Sequence, residues 1–319
     1  MSTNLRASEP DDVRALVKAI LDSDQQIQDF QLHVLIRING EPFDDVDWGY
    51  DRGKEFFSGT LYTYDKNMVE DRRHFEIQAF DGERMYSFTD QLVNGKSWRN
   101  GDIGNIRNNV FRACPNPRTL LGSDVGSQTR ETMGEVISRF ANVKLRPEPE
   151  MVAGHKCRVL ELVGVDPYPE GVVYDALVWI DTERGYRPLR YEKYNNRGEF
   201  VRWKLLHDRV DNVQLAQIDG IWFPVYGEVQ QWGWDYEAAP GFSREDCLRE
   251  MKSVEDGFAK KMLVVKLDPS CLFTVHVDPA TIRLNKGVPA ERFSIDFPDR
   301  TAVHDVLRGI DYVVGRPIR

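Results

Sequence analysis

Between Val172 and Trp232 four long apolar-rich segments follow one another, VVYDALVWID, YRPLRYEKYN, FVRWKLLHDRV and IWFPVYGEVQQW, separated by the turn-prone pieces TERG, NRGE and AQIDG. That order predicts a wide antiparallel meander, because short turn-rich connections join strands that are neighbours in space. In the third segment Val201, Trp203, Leu205 and His207 fall on one face, and Arg202, Lys204 and Asp208 on the other. This is the period of two expected of a sheet wetted on one side. The apolar side has to be covered by helix, second sheet or ligand. Where the chain's own core does not seal it, a binding cavity results.

The rest of the chain supplies more strands and a few covers. From Ser8 to about Gln26, Val13, Leu16, Val17, Ile20 and Leu21 make one helical stripe, with Ser8 and Asp11 in capping-box positions. FQLHVLIRI alternates cleanly and predicts a strand, whereas the acidic stretch INGEPFDDVDWGYDRG reads as a turn-rich loop. Strands are expected at FFSGTLYTYD, RHFEIQAF and RMYSFTD, the last two joined at Asp81-Gly82. NPRTLLG predicts a short helix and TRETMGEVISRF a second, with Met133, Val136, Ile137 and Phe140 on one side. Strands resume at HKCRVLELVG and, after an irregular insertion around 233–260, at KMLVVKL, LFTVHVD, FSIDFP and IDYVVG. We therefore expect an N-terminal tail over 1–7 and a single α+β domain over 8–319.

Charge and motifs remove several function classes. A net charge of −9 argues against nucleic-acid and anionic-membrane binding, both of which need clustered Lys and Arg. No window is long and apolar enough to span a bilayer as a helix, and the N-terminus MSTNLRASEPDD has no apolar export core. Cys114, Cys157, Cys247 and Cys271 lack CxxC spacing. Two readings stay open for them, a Cys247–Cys271 staple in an oxidising compartment or buried free thiols. No GxSxG, HExxH, phosphate loop or dinucleotide fingerprint occurs. No catalytic residue, metal ligand or cofactor is predicted, and the six histidines are scattered among separate strands. Asp44, Asp45, Asp47 and Asp51 lack EF-hand spacing and read as a solvated acidic loop. Trp232, Trp234, Asp235, Tyr236 and Glu237, near Glu228, mix carboxylates with rings as glycan sites do, though an aromatic strand end is the simpler reading.

Several local patterns occur in one order. A helix precedes FQLHVLIRI; Asp81-Gly82 precedes a strand ending at Tyr86 and Phe88; Trp179, Asp181, Gly185 and Gly198 punctuate two further strands; Phe293, Phe297, Pro298, Val303 and Asp305 close the chain. In that order they resemble the bacterial LolA/LolB-like lipoprotein-sorting family, as a distant, enlarged relative. The chain departs from the family pattern in its length, in Arg300 where a glycine is usual, and in having no lipoprotein cysteine near Met1.

The resemblance implies a large curved antiparallel sheet, an unclosed barrel lidded by a few amphipathic helices, in the periplasm or cell envelope. It implies a non-enzymatic carrier of a lipid or lipoprotein acyl chain, with an envelope protein as a further partner. Leu32, Val34, Ile36, Phe75, Ile77, Trp203, Leu205, Phe223 and Val225 are the expected cavity wall, and Met133, Val136, Ile137 and Phe140 the lid. The alternatives are a glycan-binding module or hydrolase built on the Trp232–Glu237 cluster, and a scaffold with a sealed core.

Overall fold

The computed structural model describes residues 12–64, 70–93, 96–104, 115–123, 131–138, 140, 142–165, 174–195, 205–231 and 271–316. In chain order they form α1 (Val13–Asp24), β1 (Asp29–Ile38), β2 (Glu41–Asp51), β3 (Lys54–Tyr64), β4 (Glu70–Phe80), β5 (Met85–Val93) and β6 (Lys96–Gly104). Then come α2 (Pro117–Leu120), α3 (Met133–Ser138), β7 (Asn142–Leu145), β8 (Glu150–Val152), β9 (His155–Val165), β10 (Tyr174–Asp181), β11 (Arg187–Asn195), β12 (Leu205–Ile218) and β13 (Ile221–Gln231). β14 (Cys271–Val277), β15 (Arg283–Leu284), β16 (Ala302–Asp305) and β17 (Ile310–Val313) complete it. The fold is α+β, mostly unclosed antiparallel sheet with few helices. Two compact units divide the chain, a first of residues 1–26 and 118–272 and a second of 27–117 and 273–319.

In the second unit β1 pairs with β14 and β15 on one side and with β2 on the other, and β2 to β6 continue as an antiparallel meander. β16 then adds parallel to β6, and β17 closes the order antiparallel to β16. The acidic stretch expected as a loop is strand β2, a correction with a simple cause. Val46, Trp48 and Tyr50 alternate with Asp45, Asp47 and Asp51, so these carboxylates take the face opposite the apolar groups, while Asp44 falls on the apolar face and is buried. At Gly59 a Cβ would stand 2.2 Å from the Asp45 carbonyl oxygen and 2.6 Å from the Val46 Cα. β2 and β3 approach there more closely than a side chain permits. Gly59→Ala is therefore expected to lower the unfolding free energy by about 1–3 kcal/mol in urea titration.

FSIDFP, expected as a strand, forms no ladder. Ala290–Phe293 is a turn of 3-10 helix and the following residues run irregularly to Pro298. The period-two apolar residues are real, but they pack instead of pairing. Phe293 joins Phe56, Ala79 and Val288, with Tyr86 and Ile295 beside them, and the Phe297 ring lies over Gly101. Asp29 holds the start of this segment by accepting the Lys286 and Gly287 N–H groups at 3.1 and 2.9 Å. One face of the second unit's sheet is thus covered by that unit's own C-terminal segment.

In the first unit β7 and β8 pair with one edge of β9 and β10 with the other, and β10 to β13 form the expected four-stranded meander, β12 running on through NVQLAQI to an Asp219-Gly220 turn. Leu160, Val178, Tyr191, Val210 and Val229 make a buried row on one face. The other face carries paired charges. Arg190 binds Asp211 through two hydrogen bonds of 3.0 and 2.9 Å and lies over the Trp179 ring, and Arg209 binds Glu192. Trp179 is buried and donates its indole N–H to Glu150 at 2.8 Å.

The Asp residues of the resemblance share one task. Asp81 accepts the N–H groups of Glu83 and Arg84, Asp181 those of Glu183 and Arg184, and Asp305 that of Arg308. Each carboxylate ties down the turn that follows its strand. Residues 1–7, Ser8 and Asp11, the insertion at 233–260, KMLVVKL, Gly198, Cys114 and Cys247 lie outside the described residues.

Candidate functional site

The strand register of the second unit builds one amphipathic face. Reading across β1 to β5, its rows are Phe30, Tyr50, Glu55, Phe80, Met85; Leu32, Trp48, Phe57, Gln78, Ser87; Val34, Val46, Gly59, Glu76, Thr89; and Ile36, Asp44, Leu61, His74, Gln91. On the far side of β1, Val277 sits beside Val34, Val275 beside Ile36 and Leu284 beside Phe30. From β14 to β3 the face is almost wholly apolar, and its apolar side chains are buried except for half-buried Tyr50. Trp48 stacks on Phe57 with ring centroids 5.4 Å apart and donates its indole N–H to Glu55 at 2.9 Å.

At the middle of β4 the chemistry changes. Glu76 accepts from the Gln78 amide at 2.5 Å and lies 3.2 Å from the His74 imidazole. The Leu32 row continues polar through Asp102, His304 and Asp311, and Ser87 donates to Asp102 at 3.1 Å. An open hollow of about 400 Å³ lies here along β6, β16 and β17, with Asn100, Asp102, His304, Asp311 and Tyr312 in its lining. The hydrogen bond to Asp311 raises the His304 pKa above its ordinary 6.5. Stability from this contact is complete below pH 6.5 and is lost as pH rises through the raised value. A proton NMR titration should place the His304 midpoint above 6.5 in the native chain and lower it in Asp311→Asn.

The first unit has its own covered face. Gly134 of α3 comes so close to α1 that a Cβ would stand 3.0 Å from the Leu21 Cα, and Leu120 of α2 lies over Gly227 of β13. A buried ion pair fastens the helices. Arg187 donates from Nη1 to the Asp24 carboxylate at 2.9 Å, from Nη2 to the Ser23 carbonyl at 3.0 Å and from Nε to the Trp222 carbonyl at 3.1 Å. The second Asp24 oxygen accepts the Gly134 N–H at 2.8 Å, and the Ser23 hydroxyl donates to the Gly185 carbonyl. One pair thus joins the end of α1, the start of α3 and two strands. Burial holds the Asp24 carboxyl above the ordinary carboxylate range despite the pull of Arg187, and burial lowers the Arg187 pKa.

The expected site residues separate on this frame. Leu32, Val34 and Ile36 share the amphipathic face of the second unit. Phe75 and Ile77 lie on its opposite face, paired with Thr60 and Ser58, and Phe75 is 41% exposed. They sit one residue out of phase with Glu76 and Gln78, so the register corrects their grouping with Leu32. Met133, Val136, Ile137, Phe140 and Phe223 are buried in the first unit, and Val225 is half-buried at a register shift opposite Gln214 and Leu215. Trp203, the Leu205 side chain and Trp232–Glu237 lie outside the described residues. Cys157 and Cys271 are free thiols, and burial pushes the Cys157 thiol up to about 12. Among the described residues no helix is long and apolar enough to cross a membrane.

Sequence reasoning missed Val46, Trp48 and Leu61 on the amphipathic face. For Val46 and Trp48 the signal was the alternation inside DDVDWGYD, outweighed there by the density of Asp, whereas Leu61 lies in the expected strand FFSGTLYTYD and only the β2–β3 register assigns its face.

No family model and no curated protein matches the chain. Solved structures are similar to it along most of its length. A DUF1329 family protein from Desulfovibrio piger covers 89% of this chain and 98% of its own, at 14% identity and a TM-score of 0.42. A LolA superfamily protein from Nitrosomonas europaea covers 88% and 98%, at 14% identity and 0.35. The lipoprotein LppX from Mycobacterium tuberculosis covers 88% and 100%, at 11% identity and 0.31. Likenesses this distant leave function to be argued from this chain's own residues.

Proposed function

We propose that this protein is a non-enzymatic carrier or sensor of an amphiphile, a lipid or lipoprotein acyl group of the bacterial envelope. The observation that supports it is the second unit's amphipathic face, apolar from β14 to β3 and polar from β4 to β17. An acyl chain reaches the Leu32, Val34 and Ile36 rows, which are already buried, by displacing what covers them, and is held by about 0.8 kcal/mol per buried methylene without directional bonds. Its polar end meets Glu76, Ser87 and Asp102. In the first unit Leu120 lies over Gly227 and the Asp24–Arg187 pair ties α1 to the strands, so this reading gives its helices a structural part.

Mass spectrometry of organic extracts from natively purified protein tests the proposal. A co-purifying lipid or acyl species is the expected result. A lipid-free extract, together with failure to take up a fluorescent fatty acid, would refute it and favour a scaffold with a sealed core.

A further inference from the structure

Beside the first turn of α1, within the first unit, lies an open hollow of about 570 Å³ lined by Asp12, Val13, Leu145, Arg146, Pro147 and Arg158. Arg158 stands on β9 opposite Ile180, two residues before Leu160 on the apolar face. It is only 9% exposed, its Nε has no hydrogen-bond partner, and it forms no ion pair among the described residues. A guanidinium withdrawn from water without an anion is costly, and a site that keeps one is prepared to receive an anion.

The neighbouring charges do not supply it. Arg146 is held by Glu161 at 2.8 Å and Glu150 at 2.5 Å, so those carboxylates face another cation. Asp12 turns its carboxylate to α1, accepting the Arg14 N–H at 3.0 Å. The positive end of the α1 dipole adds to the attraction for an anion. The remaining walls, Val13, Leu145 and Pro147, are apolar.

We infer that this hollow binds a singly charged carboxylate carrying a short apolar tail, as a medium-chain fatty acid does. Arg158 takes the carboxylate through its planar guanidinium, and Val13, Leu145 and Pro147 receive the first methylenes. Inorganic phosphate, more highly charged, is disfavoured by Asp12 at the same rim. The inference is independent of the amphipathic face of the second unit.

Isothermal titration of the full chain with sodium octanoate tests it, with octanol and inorganic phosphate as controls. Saturable octanoate binding is expected, weakened roughly tenfold or more in Arg158→Met, which removes a hydrogen bond to a charged group. Octanol and phosphate should bind at least roughly tenfold more weakly than octanoate. Unliganded Arg158→Met should melt at or above the native temperature, because an unpaired buried charge has gone.

Octanoate affinity unchanged in Arg158→Met, or phosphate binding as tightly as octanoate, would overturn the inference. So would a lower melting temperature or loss of fold in Arg158→Met, which would show that Arg158 has a structural partner. Val13→Asp, at a half-exposed helix position, brings a carboxylate to the rim and should weaken octanoate with the fold intact; no change there also overturns it. A lipid in native extracts that persists in Arg158→Met would leave the carrier reading standing without this site.

Discussion

Arg187→Met should lower the unfolding free energy by about 3–5 kcal/mol at neutral pH, because it strands the Asp24 carboxylate in a buried place. Asp24 and Arg187 are respectively 7% and 1% exposed, so water cannot replace the lost partner. Arg187 also satisfies the Ser23 and Trp222 carbonyls, which lose a donor together with the ion pair. The pair itself is not a large net source of stability, since burial works against the charge on both partners. A double variant, Asp24→Asn with Arg187→Met, should therefore recover much of the loss, with the Asn oxygen still available to the Gly134 N–H.

The pH dependence follows from the raised pKa of Asp24. A carboxyl whose folded pKa exceeds its unfolded 3.8 favours the fold below that value, and the contribution is lost as pH rises through the folded pKa. Removing Arg187 raises the folded value further. The deficit of Arg187→Met relative to the native chain should then narrow as the pH falls toward 4. Urea titrations at two pH values measure it, and a deficit that widens on acidification would contradict the assignment.

Trp48→Ala should cost about 3–5 kcal/mol, the range for deleting a large buried aromatic side chain. Trp48 is 2% exposed, stacks on Phe57 and donates to Glu55, so the change opens a cavity and takes a donor from a buried carboxylate. Trp48→Phe keeps most of the ring contact and should cost about 1.5–3 kcal/mol for the hydrogen bond to a charged group. Equal losses in the two variants would mean that the hydrogen bond, not packing, dominates. Because Trp48 stands in the Leu32 row, Trp48→Ala should also reduce the lipid recovered from native extracts if the carrier reading holds.

Much of this architecture was legible in local pattern. FQLHVLIRI and RHFEIQAF alternate as half-buried strands must, VVYDALVWID carries a short apolar run, Met133, Val136 and Ile137 recur at helical spacing, and Asp81-Gly82 marks a turn. Two segments misled for opposite reasons. In DDVDWGYD the density of carboxylates hides a period-two pattern that a paired strand realises with Asp45, Asp47 and Asp51 turned away from the apolar rows and Asp44 alone buried among them. In FSIDFP the same period was present, but Pro298 and the docking of Phe293 onto Phe56 favour an extended segment packed across a sheet over one paired within it.

Backbone geometry ties a period of two or of 3.6 to nearest neighbours in the chain, so strands, helices and turn residues can be read from the sequence alone. Which strand faces coincide is set by registers between distant segments, and a shift of one residue exchanges the faces. That is why local pattern alone groups Phe75 and Ile77 with Leu32, whereas the β3–β4 pairing puts them on the opposite face. The same holds for charge. Asp24 and Arg187 are 163 residues apart, and only tertiary packing makes them partners. It is also tertiary packing that leaves Arg158 without one among the described residues, because burial and pairing are properties of the folded surroundings and not of residue type.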